Sequence, residues 1–295
     1  MLHAVRKADM RAFPCRARDV CRIEEGSTNI YLTEPRVIEE FLKTIEPKYN
    51  AAVKALRAHN IDADTVYVIA GFVAYVATCS PAAVRLNSGP VRGALEATAA
   101  LFDRIGGMPK APAQFGGKTV SELLADGTIV LNIDSKYPQA IGIVNVMGHI
   151  SNLGNSYWEI LINEEASSPF FTSDYPIAIE RSVQQHAVNR IVPLAPDIAI
   201  RVYPNLSHRK GIDFTFSDFG SKRRRVGLDE IRDLNRLIVR SAESLVFYRD
   251  DHPWVTRFIE RHKLYRIEPV VRRIPIGEQE IVLTLLELRQ QKITK

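Results

Sequence analysis

The apolar residues of this chain change their period part-way along, and that switch limits the folds open to it more than any other feature. Up to about Leu124 they recur at helical spacing, and beyond it they gather in short runs bounded by Gly, Asn, Pro or Asp. Ile38, Phe41, Leu42, Ile45, Tyr49, Val53 and Leu56 share one helical face, with Thr33 as the expected N-cap and Pro35 in the first turn. Pro47 should kink or divide this helix. Val66–Cys79 predicts a buried helix closed by Ser80-Pro81, and another is expected from about Val91 to Ile105, before Gly106-Gly107. Thr119 and Glu122 have capping-box spacing, which predicts a short helix through Leu123 and Leu124.

After Gly127 the runs Thr128–Ile133, Tyr157–Ile162, Phe170–Thr172, Ile198–Val202 and Leu245–Tyr248 are β-branched or aromatic and read as strands of one sheet. Leu228, Ile231, Leu234, Ile238 and Ala242 mark an amphipathic helix whose outward face carries Arg232, Arg236 and Arg240. Helices grouped first and strands grouped later predict an α+β fold and not a doubly wound parallel sheet. The expected organisation is an N-terminal helical half over residues 1–110, then a mainly antiparallel or mixed sheet with flanking helices over 118–295. The Pro- and Gly-rich stretch 108–117 lies between them, and both parts can share one core.

Several function classes lose their usual support. Val66–Cys79 runs for 14 residues without a charge or amide, where a membrane span needs about 20. The basic N-terminus has no apolar stretch after it, so no signal peptide is expected. Cys15, Cys21 and Cys79 form no C-x-x-C pair and are too sparse for a secreted disulfide scaffold, which points to a reducing, cytoplasmic setting. No phosphate-binding glycine loop, dinucleotide fingerprint or His-Glu-x-x-His zinc motif is present. Trp158 and Trp254 read as core or rim aromatics.

Charge is distributed unevenly. Residues 201–273 hold 17 Lys and Arg against 10 Asp and Glu, whereas residues 1–200 hold 19 against 21, so the formal net charge of +5 is a property of the C-terminal third. Its densest point is Lys222-Arg223-Arg224-Arg225, flanked by glycines and expected on an exposed loop. Such a loop can draw in phosphate groups, and it can equally be a solvated turn before a helix.

Chemistry is best sought in Ser168–Glu180, which reads as a buried strand stopping at Thr172-Ser173-Asp174 before Pro176. Ser173 offers a nucleophilic hydroxyl and Asp174 a carboxylate for a divalent metal, with Glu159 and Glu180 as further acids on neighbouring strands. The same Ser and Asp would serve equally to cap the turn by bonding the local backbone. A serine nucleophile needs a base, and His149 and His186 are candidates by proximity in the chain. Asp126 with Asp134-Ser135-Lys136 resembles the acid, acid-x-Lys arrangement of metal-dependent nucleases. Arg181/His186, Arg201/His208 and Arg257/His262 match a loose spacing of helical ribonucleases, although its recurrence shows how little it discriminates.

The runs FFTSDYPIAIE at 170–180, NRIVPLAPDIAIRVYP at 189–204 and LNRLIVRSAESLVFY at 234–248 together resemble the bacterial domain-of-unknown-function family 4238. The stretch from Asp19 through Ile45 and the helix ending in ATCSPAAVR at 77–85 fit the helical half of that family. The resemblance implies no settled activity. Members of the family begin with a His-x-x-Pro-Gln-like segment, and none precedes Cys15; were that segment catalytic, the chain would be an incomplete enzyme. Two functional expectations result. One is a cytoplasmic protein associated with nucleic acid, phosphate or another polyanion through Lys222, Arg223, Arg224 and Arg225. The other is a metal-dependent hydrolase or nuclease centred on Asp174.

Overall fold

The computed structural model describes residues 2–16, 26, 28–184, 187–207, 211–250, 252–276 and 279–291. Cys21, His186 and His208 lie outside these residues. The fold is α+β: a helical layer packs on one face of a mostly antiparallel sheet, and a long helix with a second sheet covers the other.

The chain opens with strands β1 (Leu2–Arg6) and β2 (Ala12–Cys15), which helical periodicity had hidden. Helix α1 (Val37–Ile45) buries Ile38, Phe41 and Ile45. It starts after Arg36 rather than at a Thr33 cap, because residues 28–36 form turns in which the Asn29 main chain and side chain bond Pro35, Tyr31 and Lys136. Pro47 divides the helix as expected: a short 3₁₀ turn, Glu46–Lys48, separates α1 from α2 (Tyr49–Ala58). Helix α3 (Ala63–Cys79) begins at Asp62, whose carboxylate accepts the Thr65 N–H at 2.8 Å, and most of it is buried. Ser80-Pro81 is both a stop and a start. Ser80 Oγ accepts the Ala83 N–H, Pro81 occupies the first turn, and α4 (Pro81–Arg104) runs on through Pro90, ten residues earlier than its expected start. The capping box of α5 (Val120–Ala125) has both of its bonds. Among the described residues no single helix is long and apolar enough to cross a membrane.

Thr128–Ile133 is not a strand. Asp126 accepts the Thr128 N–H, the Ile129 N–H returns to the Leu123 carbonyl, and Ile129 and Val130 are exposed with no neighbouring strand among the described residues. Two unexpected helices follow, α6 (Lys136–Val144) and α7 (Val146–Gly154), and α7 packs against α3.

The expected strands fall into two sheets, not one. Strands β3 (Tyr157–Ile162), β5 (Ala178–Arg181), β6 (Val188–Ala195), β7 (Ile198–Tyr203) and β8 (Gly220–Arg225) form a sheet in the order β5-β6-β7-β3-β8, antiparallel except for β3 with β8. The two-residue β4 (Thr172–Ser173) joins β9 (Leu245–Tyr248) in a second sheet ordered β2-β1-β9-β4. Phe170 and Phe171 do not extend β4 because their N–H groups are taken by the Pro196 carbonyl and the Asn235 side chain. Helix α8 (Leu228–Ser241) matches its amphipathic pattern. Helix α9 (Pro253–His262) and the hairpin β10 (Tyr265–Ile276) with β11 (Gln279–Gln290) complete the chain.

Alternation along the central sheet divides the core. Trp158, Ile160 and Ile162 join Ile198, Ile200 and Val202 against the helical layer, while Leu161, Ile191 and Ala199 face Ile231, Leu234 and Ile238 of α8. The first cluster draws on residues from Ile38 to Ile267, so both sides of the 108–117 stretch contribute to it.

Candidate functional site

Asp174 follows β4 and meets β9 head-on. Its carboxylate accepts the N–H groups of Glu243 at 3.0 Å, Ser244 at 2.7 Å and Leu245 at 3.0 Å, and its own N–H donates to the Leu245 carbonyl. Burial raises its pKa, and the three main-chain bonds offset only part of that. Ser173 is equally engaged: its hydroxyl donates to the Tyr175 carbonyl at 2.7 Å and accepts the Tyr175 N–H. Lys7 lies nearby with its ammonium bonded to the carbonyls of Ala242 and Tyr265, each at 2.6 Å. Its burial lowers its pKa to about 8, against the charges of Asp174 and Glu243. Arg85 of α4 links the same region to the hairpin, pairing with Glu243 at 2.7 Å and Glu268 at 3.0 Å.

Glu159 and Glu180 come together, but apart from Asp174. Arg201 meets Glu159 at 2.5 Å, Glu180 at 3.0 Å and Glu230 at 3.3 Å, while Arg224 pairs with Glu159 and Glu230, both at 2.6 Å. Burial disfavours the charge on Glu159, yet its bonds to Arg224 and Arg201 prevail and hold its pKa below the usual carboxylate range. The bond from Arg224 does the same for Glu230. Three carboxylates and two guanidinia thus neutralise one another across β5, β7, β3 and β8 and the first turn of α8.

The basic run is not a loop. Lys222, Arg223, Arg224 and Arg225 form β8, which hydrogen-bonds in parallel to β3, so half the run is drawn into pairing with acids of adjoining segments. Arg224 is consumed as above, Arg225 meets Glu164 at 2.9 Å, and Lys222 and Arg223 are exposed without an acidic partner among the described residues. The acid, acid-x-Lys set is also dispersed. Asp126 pairs with Lys118, and Asp134 accepts the Lys136 N–H and the Tyr31 hydroxyl. Among the described residues no group of three or more His, Cys, Asp or Glu is placed to hold a metal ion.

A broad, open cavity of about 1650 Å³ is lined by residues of α3, α4 and α7, the edge strand β5 and its neighbour β6, Leu237 of α8 and the β10–β11 hairpin. Arg190 of β6 is half-buried in its wall and has no hydrogen-bond or ion-pair partner among the described residues. Beside it stands Tyr175, 5% exposed, whose hydroxyl likewise has no hydrogen-bond partner among the described residues; burial pushes its pKa up to about 12. His149, Asn152 and Ser156 line the cavity from one face and the end of α7. His149 is open to the cavity water but hemmed in by protein, and that partial burial, with the charge of Arg190, lowers its pKa.

The acids at the cavity are already neutralised. Glu180 is held by Arg201 and Asn189, and Glu287 by Arg272 and Arg289. Arg190 and the exposed Arg181 are the lining cations with no acidic partner among the described residues, so the cavity presents positive charge. Arg190 and Tyr175 were not singled out in the sequence. Both nonetheless sit in runs that stood out there, Arg190 opening RIVPLAP and Tyr175 closing FTSDY.

The model of a family described as "Protein of unknown function (DUF4238)" matches residues 5–252. No curated protein and no solved structure matches the chain.

Proposed function

Because the chain belongs to the family described as "Protein of unknown function (DUF4238)", whose description assigns no chemistry, we propose from the geometry of this molecule that it is a binding protein for a small anion-bearing ligand, held in the cavity by Arg190. A guanidinium withdrawn from bulk water is costly to bury unpaired, and a carboxylate or phosphate is the partner that fits its forked donors. The observation that carries the reading is that neither Arg190 nor the neighbouring Tyr175 hydroxyl has a partner among the described residues, in a cavity whose described acids are engaged with other groups. Tyr175 would donate to the ligand's oxygens, and Asn152 and His149 line the wall beside it. The spacing of the cysteines supports a cytoplasmic setting for this activity.

The two sequence-based expectations have less to stand on. Polyanion binding through β8 would rest on Lys222 and Arg223 alone, and a metal-dependent hydrolase would have to free Asp174 from three main-chain donors. The test is calorimetric titration of inorganic phosphate and pyrophosphate into wild type, Arg190→Gln and the double variant Lys222→Ala/Arg223→Ala. Saturable binding lost in Arg190→Gln and kept in the double variant is expected. Equal binding by wild type and Arg190→Gln would overturn the proposal.

A further inference from the structure

A smaller recess of about 250 Å³ lies where α1 and the start of α2 meet α3, and it shares no lining residue with the Arg190 cavity. Leu42, Ile45, Glu46 and Tyr49 line one side, following helical spacing through the Pro47 turn; Phe72 and Tyr75, three residues apart on α3, stand side by side on the other. The two sides can approach because α3 carries a glycine at the crossing: a Cβ on Gly71 would stand 3.1 Å from the Phe41 ring and 3.3 Å from Ile45. The rings are held from behind. Tyr49, Phe72 and Tyr75 pack on the core while each keeps part of its surface exposed. The Tyr49 and Phe72 centroids are 5.0 Å apart with the planes tilted by 57°, and the Tyr49 hydroxyl donates to the Leu194 carbonyl at 3.3 Å.

Glu46 is the only charged side chain on this lining, and its carboxylate has no partner among the described residues. The cations around it have acids of their own: Lys43 meets Glu40, Lys48 meets Asp64 and Arg57 meets Asp197. The recess therefore presents three aromatic rings, whose faces are electron-rich, beside one uncompensated negative charge. Such a surface attracts cations, and it discriminates among them. A primary ammonium has three N–H groups to satisfy, for which the lining offers few acceptors besides Glu46. A quaternary ammonium has no N–H group, and its methyl groups can lie directly on the rings.

We propose that this recess binds a small quaternary ammonium ligand, with its methyl groups against Tyr49, Phe72 and Tyr75 and its charge offset by Glu46. The site is independent of the Arg190 reading. Its volume falls below the roughly 300–1,000 Å³ of drug-sized sites, which suits a trimethylammonium group on a short stem.

The experiment is titration of the intact chain, followed by NMR, with tetramethylammonium, choline and 3,3-dimethylbutan-1-ol, which has the shape of choline with carbon in place of the charged nitrogen. Choline and tetramethylammonium should bind saturably, and choline about tenfold more tightly than its neutral analogue, since each ring contributes about two- to fivefold to cation binding. Phe72→Leu, which keeps apolar bulk and removes a ring, should weaken choline by that same two- to fivefold and leave the analogue nearly unchanged. Glu46→Gln, an exposed position where the fold is not at stake, should likewise weaken choline alone. Equal binding of choline and the neutral analogue would overturn the proposal by showing a merely apolar recess, and so would failure of both quaternary ions to bind. Phosphatidylcholine vesicles separate the remaining source of this chemistry: binding to vesicles without binding of free choline would overturn the small-ligand site in favour of a lipid surface.

Discussion

Removing the carboxylate of Asp174 should damage stability first, whatever else it does. Asp174→Ala orphans three N–H groups; that of Ser244 is exposed and can turn to water, while those of Glu243 and Leu245 are partly buried. A buried donor without its partner costs about 1–3 kcal/mol, so the two together set a loss of about 2–6 kcal/mol. Part of this is returned, because burial of the carboxylate is itself unfavourable, as its raised pKa shows. The net expectation is a loss of about 2–4 kcal/mol. The lesion sits at a junction: Asp174 secures β4 to β9, and β9 pairs with β1. Urea unfolding at pH 7, followed by the fluorescence of Trp158 and Trp254, would measure the loss. Asp174→Asn should cost a similar amount, since its amide N–H₂ would face donors where a carboxylate oxygen now accepts. Losses below about 1 kcal/mol in both variants would refute the assignment of Asp174 as an anchor of the sheet.

Lys7 should give stability a particular pH dependence. Its pKa falls from 10.5 to about 8 on folding, so between those values the unfolded chain holds a proton that the folded chain has released, and stability rises with pH by up to about 3 kcal/mol. Comparing unfolding at pH 7.5 and 10.5, Lys7→Met should show less of this rise than wild type; equal slopes would contradict it. Gly154 ends α7 with the Phe216 ring closer than a Cβ could tolerate. Gly154→Ala should therefore cost about 1–3 kcal/mol, and Phe216→Leu in the same chain should recover part of it; a fully stable Gly154→Ala would show that the ring moves freely.

Local signals were legible where the backbone satisfies itself. The capping box at Thr119 and Glu122, the division of the first helix at Pro47, the amphipathic α8 and the strand Tyr157–Ile162 are all as their residues imply. Errors arose where a distant partner decides the outcome. Thr128–Ile133 has strand-like residues but no neighbour, and Phe170-Phe171 gives its N–H groups to Asn235 and Pro196. Lys222–Arg225 looked like a loop because its charges were visible, whereas β3 and the acids that place it lie far away in sequence. For the site, sequence drew attention to charged groups, yet charge in this molecule mostly marks internal pairing: Glu159, Glu180 and Arg224 neutralise one another through Arg201 and Glu230. Arg190 matters for the opposite reason: it has no partner among the described residues, which only packing reveals.

The most direct measurement is the crystal structure of the chain grown with pyrophosphate. The cavity reading expects a phosphate group within hydrogen-bond distance of the Arg190 guanidinium and the Tyr175 hydroxyl. An empty cavity with the ligand bound instead at Lys222 and Arg223 would contradict it.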